Sequence, residues 1–146
     1  LQRYVGTPAR PADPATIQAG AEDLYARAAV SSGCEQPVIA LNELWGGHQP
    51  APWLYENLLY RQNVLSLLKA LAGKGAVPFL LVAGPHSGNR APFVDGDARA
   101  WWLEVSQYAH IVRQMHFNAP HIYDMGPIVG ARTRRIAMRA AVAPLL

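Results

Sequence analysis

The chain has 146 residues, of which 51% are apolar and 16% are charged, and its formal net charge is +3. This length allows one domain with a hydrophobic core, and this composition excludes an intrinsically disordered chain. The longest apolar run, Val77 to Gly84, is shorter than the roughly 18 residues that a membrane-spanning helix needs, so we expect no membrane partner.

The first third of the chain predicts one helix and one strand. The proline-rich segment Leu1 to Pro14 is expected to be irregular, with the tail of an earlier strand followed by a loop as one interpretation, and its last two residues offer a helix start. Apolar residues at helical spacing predict a helix over Ala15–Val30, which Ser32-Gly33 ends. The run Val38–Leu41 has the length and branching of a buried strand. Cys34, the single cysteine, excludes an internal disulfide and is expected to pack behind this strand.

The middle of the chain repeats this pattern. An amphipathic helix is predicted over Leu54–Ala72, and Gly73-Lys74-Gly75 ends it. The run Val77–Ala83 is apolar throughout, as in strands that are covered on both faces. A last helix is predicted over Ile128–Val142. The arginines near it have neither interleaved aromatic residues nor a recognised nucleic-acid motif, so we interpret them as a solvated helix face and expect no nucleic-acid partner.

The segment between these elements allows more than one interpretation. The apolar residues from Trp101 to Met115 fit one continuous helix, but we favour a helix over Asp97–Gln107 and a strand over Ile111–Phe117. The breaker Asn118-Ala119-Pro120 follows that strand, and the preceding units lead us to expect a strand here. The alternative places the strand at His121–Met125.

The predicted order is helix, strand, helix, strand, helix, strand, helix, and we treat residues 1–146 as a single unit. This alternation is typical of α/β proteins with parallel strands and right-handed crossovers. Because an open sheet of three strands would leave two edges and little core, we predict an excerpt of a (β/α)8 TIM barrel, which needs ~250 residues when complete. Since the first residue is Leu1 and not methionine, we also expect a longer parent protein.

The most informative residues follow the first predicted strand. Asn42 and Glu43 stand where that strand ends, and Trp45 and a diglycine follow them. The carboxyl ends of parallel strands are where α/β proteins place their chemistry. A carboxylate there suits acid/base catalysis, while an amide and an aromatic ring suit the hydroxyls and the apolar face of a sugar. The alternative is a surface or helix-capping glutamate.

The Asn42-Glu43 pair at a strand end resembles the Asn-Glu signature of clan A glycoside hydrolases, which are (β/α)8 barrels. In that clan the pair ends the fourth strand, the glutamate is the general acid/base, and the asparagine binds the sugar 2-hydroxyl. The resemblance therefore implies these roles for Glu43 and Asn42. His116, two units further on, would fall at the sixth strand, and the chain would extend to the helix after it. The nucleophilic glutamate of the clan, at the seventh strand, has no counterpart in this chain.

Two further residues are candidates for the same edge. His86 follows the second predicted strand and would contact substrate or tune the acid, or else bond nearby backbone. Hydrolysis would need a second carboxylate beside Glu43, and Asp124 is the candidate for it in this chain, although we favour its role as a helix cap. No histidine, cysteine or carboxylate spacing indicates a metal site, and no nucleotide-binding motif occurs, so we predict neither a metal nor a cofactor.

Three functions remain open at this stage. The first is a glycosidase in which Glu43 is catalytic, with Asn42, Trp45, His86 and His116 around the substrate. The second is a non-catalytic barrel that binds carbohydrate or a protein partner. The third is a barrel enzyme with a phosphorylated ligand. For each of them, we expect the remaining barrel strands of the parent protein to be the structural partner, and we expect the isolated chain to be catalytically inert.

Overall fold

The computed structural model describes residues 1–44, 57–83 and 96–114, without the side chains of residues 43, 83, 96–98, 113 and 114. The described residues form a parallel three-stranded sheet with helices, preceded by a small antiparallel hairpin. In chain order the elements are α1 (Gln2–Val5), β1 (Gly6–Thr7), β2 (Arg10–Pro11), α2 (Pro14–Ser32), β3 (Val38–Leu44), α3 (Leu58–Gly73), β4 (Val77–Ala83), α4 (Gly96–Val105) and β5 (His110–Gln114).

The predicted helix over Ala15–Val30 is confirmed as α2. Asp13 caps its start, because the carboxylate accepts hydrogen bonds from the Thr16 backbone N–H at 2.9 Å and the Thr16 hydroxyl at 2.7 Å. Gly33 ends the helix in the left-handed conformation, with a φ of 64°. Ile17 and Ala21 are the buried residues of this helix. Cys34 is exposed, so the expectation that it packs behind the following strand was wrong.

The sheet has the strand order β3-β4-β5, and both strand pairs are parallel. This arrangement confirms the α/β class. Strand β4 has the predicted bounds, and β3 continues three residues beyond the predicted Leu41. Strand β5 confirms the preferred position of the third strand, although it begins one residue earlier than expected. The alternative strand at 121–125 and the last predicted helix lie outside the described residues.

One face of the sheet is covered by helices. Ile39 and Leu41 of β3 and Leu80 and Val82 of β4 are buried on this face. Helix α2 packs against β3 and α3, and α3 packs against β4 and α4. Leucines along one side of α3 and the Trp101-Trp102 pair of α4 complete this core. The three long helices therefore lie on the same side of the sheet.

The other face of the sheet, which we call the open face, has no cover among the described residues. In β3, Val38 is 64% exposed and Ala40 and Asn42 are also exposed, although their neighbours along the strand are buried. The register continues this face across the other two strands, through Val77, Phe79 and Leu81 of β4 to His110 and Val112 of β5. The open face is therefore largely apolar, although its members are exposed on β3 and β5 and half-buried on β4.

The N-terminal segment is ordered, so the expectation of an irregular segment up to Pro14 was wrong. Gly6 has a φ of 76° and starts the hairpin of β1 and β2. A Cβ at this position would lie 2.3 Å from the Arg10 carbonyl oxygen, which explains why a glycine is needed. The buried Asn63 amide of α3 donates hydrogen bonds to the Val5 carbonyl at 3.3 Å and the Ala12 carbonyl at 2.7 Å. These two bonds hold the segment on the helical side of the sheet.

Candidate functional site

Strand β3 contains an irregularity at the two residues that the sequence singled out. From Val38 to Leu41 it pairs with β4 in continuous register, ending with Leu41 opposite Leu80. The next pair joins Leu44 to Val82, so β3 advances by three residues while β4 advances by two. Asn42 and Glu43 together therefore lie opposite one residue of β4. Such β-bulges re-aim side chains and are common next to active sites.

Asn42 lies on the open face, close to the carboxyl end of β3. Its side chain is exposed, and its backbone carbonyl is 3.5 Å from the Leu1 amino group. An amide in this position can both donate a hydrogen bond to a ligand hydroxyl and accept one from it. The backbone of Glu43 belongs to the same strand, but its side chain is not among those that the structure describes.

The remaining predicted site residues cannot be placed beside this pair. Trp45, His86 and His116 all lie outside the described residues. Strand β4 does end at Ala83, shortly before His86, and β5 runs in the same direction. Because β3, β4 and β5 are parallel, all three strands end at one edge of the sheet, which we call the carboxyl edge.

One buried polar group near this edge was not predicted from the sequence. Helix α3 joins the end of β3 to the start of β4, so its first turn lies toward the carboxyl edge. Tyr60 in that turn is only 2% exposed, and its hydroxyl has no hydrogen-bond partner among the described residues. Burial raises the pKa of Tyr60 to about 12, which keeps this hydroxyl protonated as a neutral donor. Helical periodicity can predict that such a residue faces inward, but cannot tell which edge it approaches.

Two of the ion pairs among the described residues lie on the helices, away from the Asn42 side chain. On α2, Asp23 forms an ion pair with Arg27 at 2.7 Å, and both side chains are about half exposed. Lys69 of α3 donates to Glu104 of α4 at 2.7 Å, and this hydrogen bond raises the pKa of Lys69. All four of these side chains lie on helices, so neither of the two carboxylates is a second carboxylate beside Asn42.

The described part of the chain contains no group of three or more His, Cys, Asp or Glu side chains that could hold a metal ion. Within the same ranges, no helix is long and apolar enough to cross a membrane. A cavity of about 310 Å³ lies near the start of β4 and β5, at the edge opposite the bulge. Its lining includes Pro78, Tyr108 and His110. Asn42 does not line this cavity, so the cavity and the bulge are separate features.

Comparison of the chain with family models, with curated proteins and with solved structures finds no match.

Proposed function

We propose that residues 1–146 form part of a (β/α)8 barrel that hydrolyses O-glycosidic bonds, with Glu43 as the general acid/base. The observation that carries this proposal is the bulge at Asn42 and Glu43, near the carboxyl edge of a parallel sheet. Barrel enzymes place their active sites at this edge. The resemblance of this residue pair to the signature of clan A glycoside hydrolases adds the reaction type.

The arrangement of helices supports a barrel over an open, doubly wound sheet. In a doubly wound sheet, helices cover both faces. Here α2, α3 and α4 all lie on one side, and the strands follow one another in the sheet in chain order. In a (β/α)8 barrel the strands follow one another around the sheet in chain order and all the helices lie outside. The face of the sheet without helices is then the packed interior. The apolar open face is suited to that interior.

The size of the open face also favours cover by the same protein over dimerisation. Three strands ~4.8 Å apart, with five residues of ~3.3 Å each, present a face of roughly 250 Å². A stable interface between two proteins needs ~800 Å² on each partner. A second copy would therefore bury too little area through this face alone, whereas further strands of one chain need no such area.

In a retaining enzyme, Glu43 protonates the glycosidic oxygen while a second carboxylate attacks the anomeric carbon and displaces the leaving sugar, and Glu43 then deprotonates the water that releases the bound sugar from that carboxylate. In an inverting enzyme, Glu43 acts only as the acid, and the second carboxylate deprotonates the attacking water. The Asn42 amide holds a sugar hydroxyl from the open face. Trp45, His86 and His116 surround the substrate in this proposal. Hydrolysis also requires a second carboxyl group, ~5–5.5 Å away in a retaining enzyme and further away in an inverting one. We propose that a strand beyond these residues supplies it.

The test is hydrolysis of a panel of 4-nitrophenyl glycosides by the full-length protein. Glu43→Gln should reduce kcat by at least about a hundredfold, because general acid/base groups contribute typically 10²–10⁴-fold. Glu35→Gln is the matched control, since Glu35 is an exposed acid that precedes β3. Hydrolysis that survives Glu43→Gln unchanged would contradict the assignment of the acid/base.

A non-catalytic carbohydrate-binding barrel is the second candidate. It is favoured by one observation, namely that the described acidic side chains lie on or beside helices and not next to Asn42. This candidate predicts that the full-length protein binds glycans through Asn42 but releases no nitrophenol from any member of the panel. Binding without turnover would therefore favour it over the hydrolase.

A further inference from the structure

Strand β3 lies at one end of the sheet, and its outer edge has no strand partner among the described residues. Successive residues of a parallel strand direct their backbone N–H and C=O groups alternately toward the two sides of the strand. The Pro37 carbonyl accepts a hydrogen bond from the Val77 N–H of β4 at 3.0 Å, so Pro37 faces β4. Ile39 and Leu41 follow at intervals of two and face β4 as well. The two residues between them therefore direct their backbone groups to the outer edge.

These two outward-facing residues are Val38 and Ala40. Within the described residues, their backbone N–H and C=O groups have no hydrogen-bond partner. Strands whose edges stay open in water commonly carry charged residues or proline, which discourage pairing with another strand. None of residues 38–41 is charged or proline, Val38 is 64% exposed, and the bulge lies beyond them. The composition of this edge therefore favours pairing with a further strand over exposure to water.

The position of the Leu1 amino group indicates the direction of that strand. This nitrogen lies 3.5 Å from the Asn42 carbonyl oxygen, close to the carboxyl end of β3, and α1 begins at the next residue. Polypeptide that reaches Leu1 along the outer edge must come from the Val38 end, so it runs parallel to β3. About five residues at ~3.3 Å each span the distance from Val38 to Asn42.

We propose that the outer edge of β3 binds a parallel strand of the same polypeptide, which ends at Leu1 and pairs with the backbone of Val38 and Ala40. This inference rests on the longer chain that the proposed function assumes, and not on the reaction. Parallel neighbours need a crossover connection of a dozen or more residues. Residues 2–37 supply one, because α2 lies on the helical side of the sheet and packs against β3. The new strand then precedes β3 both in the chain and in the sheet.

Amide hydrogen exchange of the full-length protein, followed residue by residue with NMR, tests this pairing. We expect the Val38 and Ala40 amides to exchange at least roughly a hundredfold more slowly than in an unstructured peptide. The Ile39 and Leu41 amides face β4 in the same strand, so they are the matched reference and should show similar protection. Free exchange at Val38 and Ala40 beside protected Ile39 and Leu41 amides would overturn the proposal.

Nuclear Overhauser contacts of the same two amides identify the partner strand. Contacts with residues that directly precede Leu1, and protection that does not change on dilution, are the expected result. Contacts with any other segment of the polypeptide would overturn the proposed occupant. Protection that is lost on dilution would overturn it too, because it would indicate a second copy of the protein at this edge.

The failures of the two proposals are distinguishable, because hydrogen exchange and glycoside hydrolysis are measured separately on the same protein. Freely exchanging Val38 and Ala40 amides in a protein that hydrolyses 4-nitrophenyl glycosides would overturn this inference alone. Protected amides with contacts to the residues before Leu1, in a protein that hydrolyses no member of the panel, would support this inference and contradict the proposed hydrolysis.

Discussion

The two faces of the parallel sheet have similar composition and opposite environments. On the helical side, Leu41 and Leu80 are buried under α2 and α3. On the open face, Val38 and Val112 are exposed although they are equally apolar. Strands that are apolar on both faces belong to sheets that are covered on both faces. Helices cover the helical side within the described residues, whereas the equally apolar open face has no such cover among them.

The largest expected effect contrasts two adjacent leucines of β4. Leu80→Ala should destabilise the chain by about 3 kcal/mol, because the side chain is 0% exposed and its removal leaves a cavity under α3. Leu81→Ala, on the open face, should cost less than about 1 kcal/mol in the same 146-residue chain. Urea unfolding followed by circular dichroism measures both. Equal losses would show that the open face is already covered within this chain.

A polar residue of the helical side should give the next largest effect. Asn63→Ala should cost about 2 kcal/mol, because it removes two hydrogen bonds and leaves the Val5 and Ala12 carbonyls without this donor. Asn42→Ala is the matched control on the open face, where the side chain is exposed, and should change stability by less than about 0.5 kcal/mol. Thermal melts of the two variants compare them directly, and a larger loss in Asn42→Ala would contradict this comparison.

The smallest expected effect concerns the start of α2 and its dependence on pH. Hydrogen bonds from the Thr16 backbone N–H and then its hydroxyl lower the pKa of Asp13 below 3.8. A carboxyl group whose pKa is lower in the folded state than in the unfolded state stabilises the fold when the pH is above its unfolded-state pKa. This stabilisation is lost as the pH falls through its folded-state pKa. Asp13→Asn keeps a capping oxygen but cannot titrate, so it should remove this part of the acid sensitivity.

Urea midpoints at pH 7 and near pH 2 test this prediction. The difference between the two midpoints should be smaller in Asp13→Asn than in the unchanged chain. Glu35→Gln, which replaces an exposed acid outside the helices, should leave the difference in place. An unchanged difference in Asp13→Asn would show that the cap does not contribute to acid sensitivity.

Local sequence signals predicted the elements that depend on local interactions. The bounds of β4 followed from a continuous apolar run, and the start of α2 followed from Asp13-Pro14. The bulge in β3 could not be predicted, because it is a shift in pairing with a strand that begins 33 residues after Leu44. The secondary structure of the N-terminal segment was not predicted for a related reason, since this segment is held by Asn63 of a helix that is distant in the sequence.

The candidate site divides in the same way. Asn42 and Glu43 were found because they end an apolar run, and the structure adds that they share one bulge. Leu81 and Val112 of the open face gave no sequence signal, because an aliphatic residue in a strand has the same pattern whether it is buried or exposed. Only the register across β4 and β5 brings them beside Asn42. Tertiary pairing therefore supplied what periodicity could not.

The most direct test of the account is a crystal structure of the full-length protein that covers the open face. We expect further parallel strands that close a barrel over Phe79 and Leu81, with a second carboxyl group across the strand ends from Glu43. A separation of ~5–5.5 Å between the two carboxyl groups would indicate a retaining glycosidase, and a wider separation an inverting one. Helices packed on the open face, or no second carboxyl group at the carboxyl edge, would contradict the account.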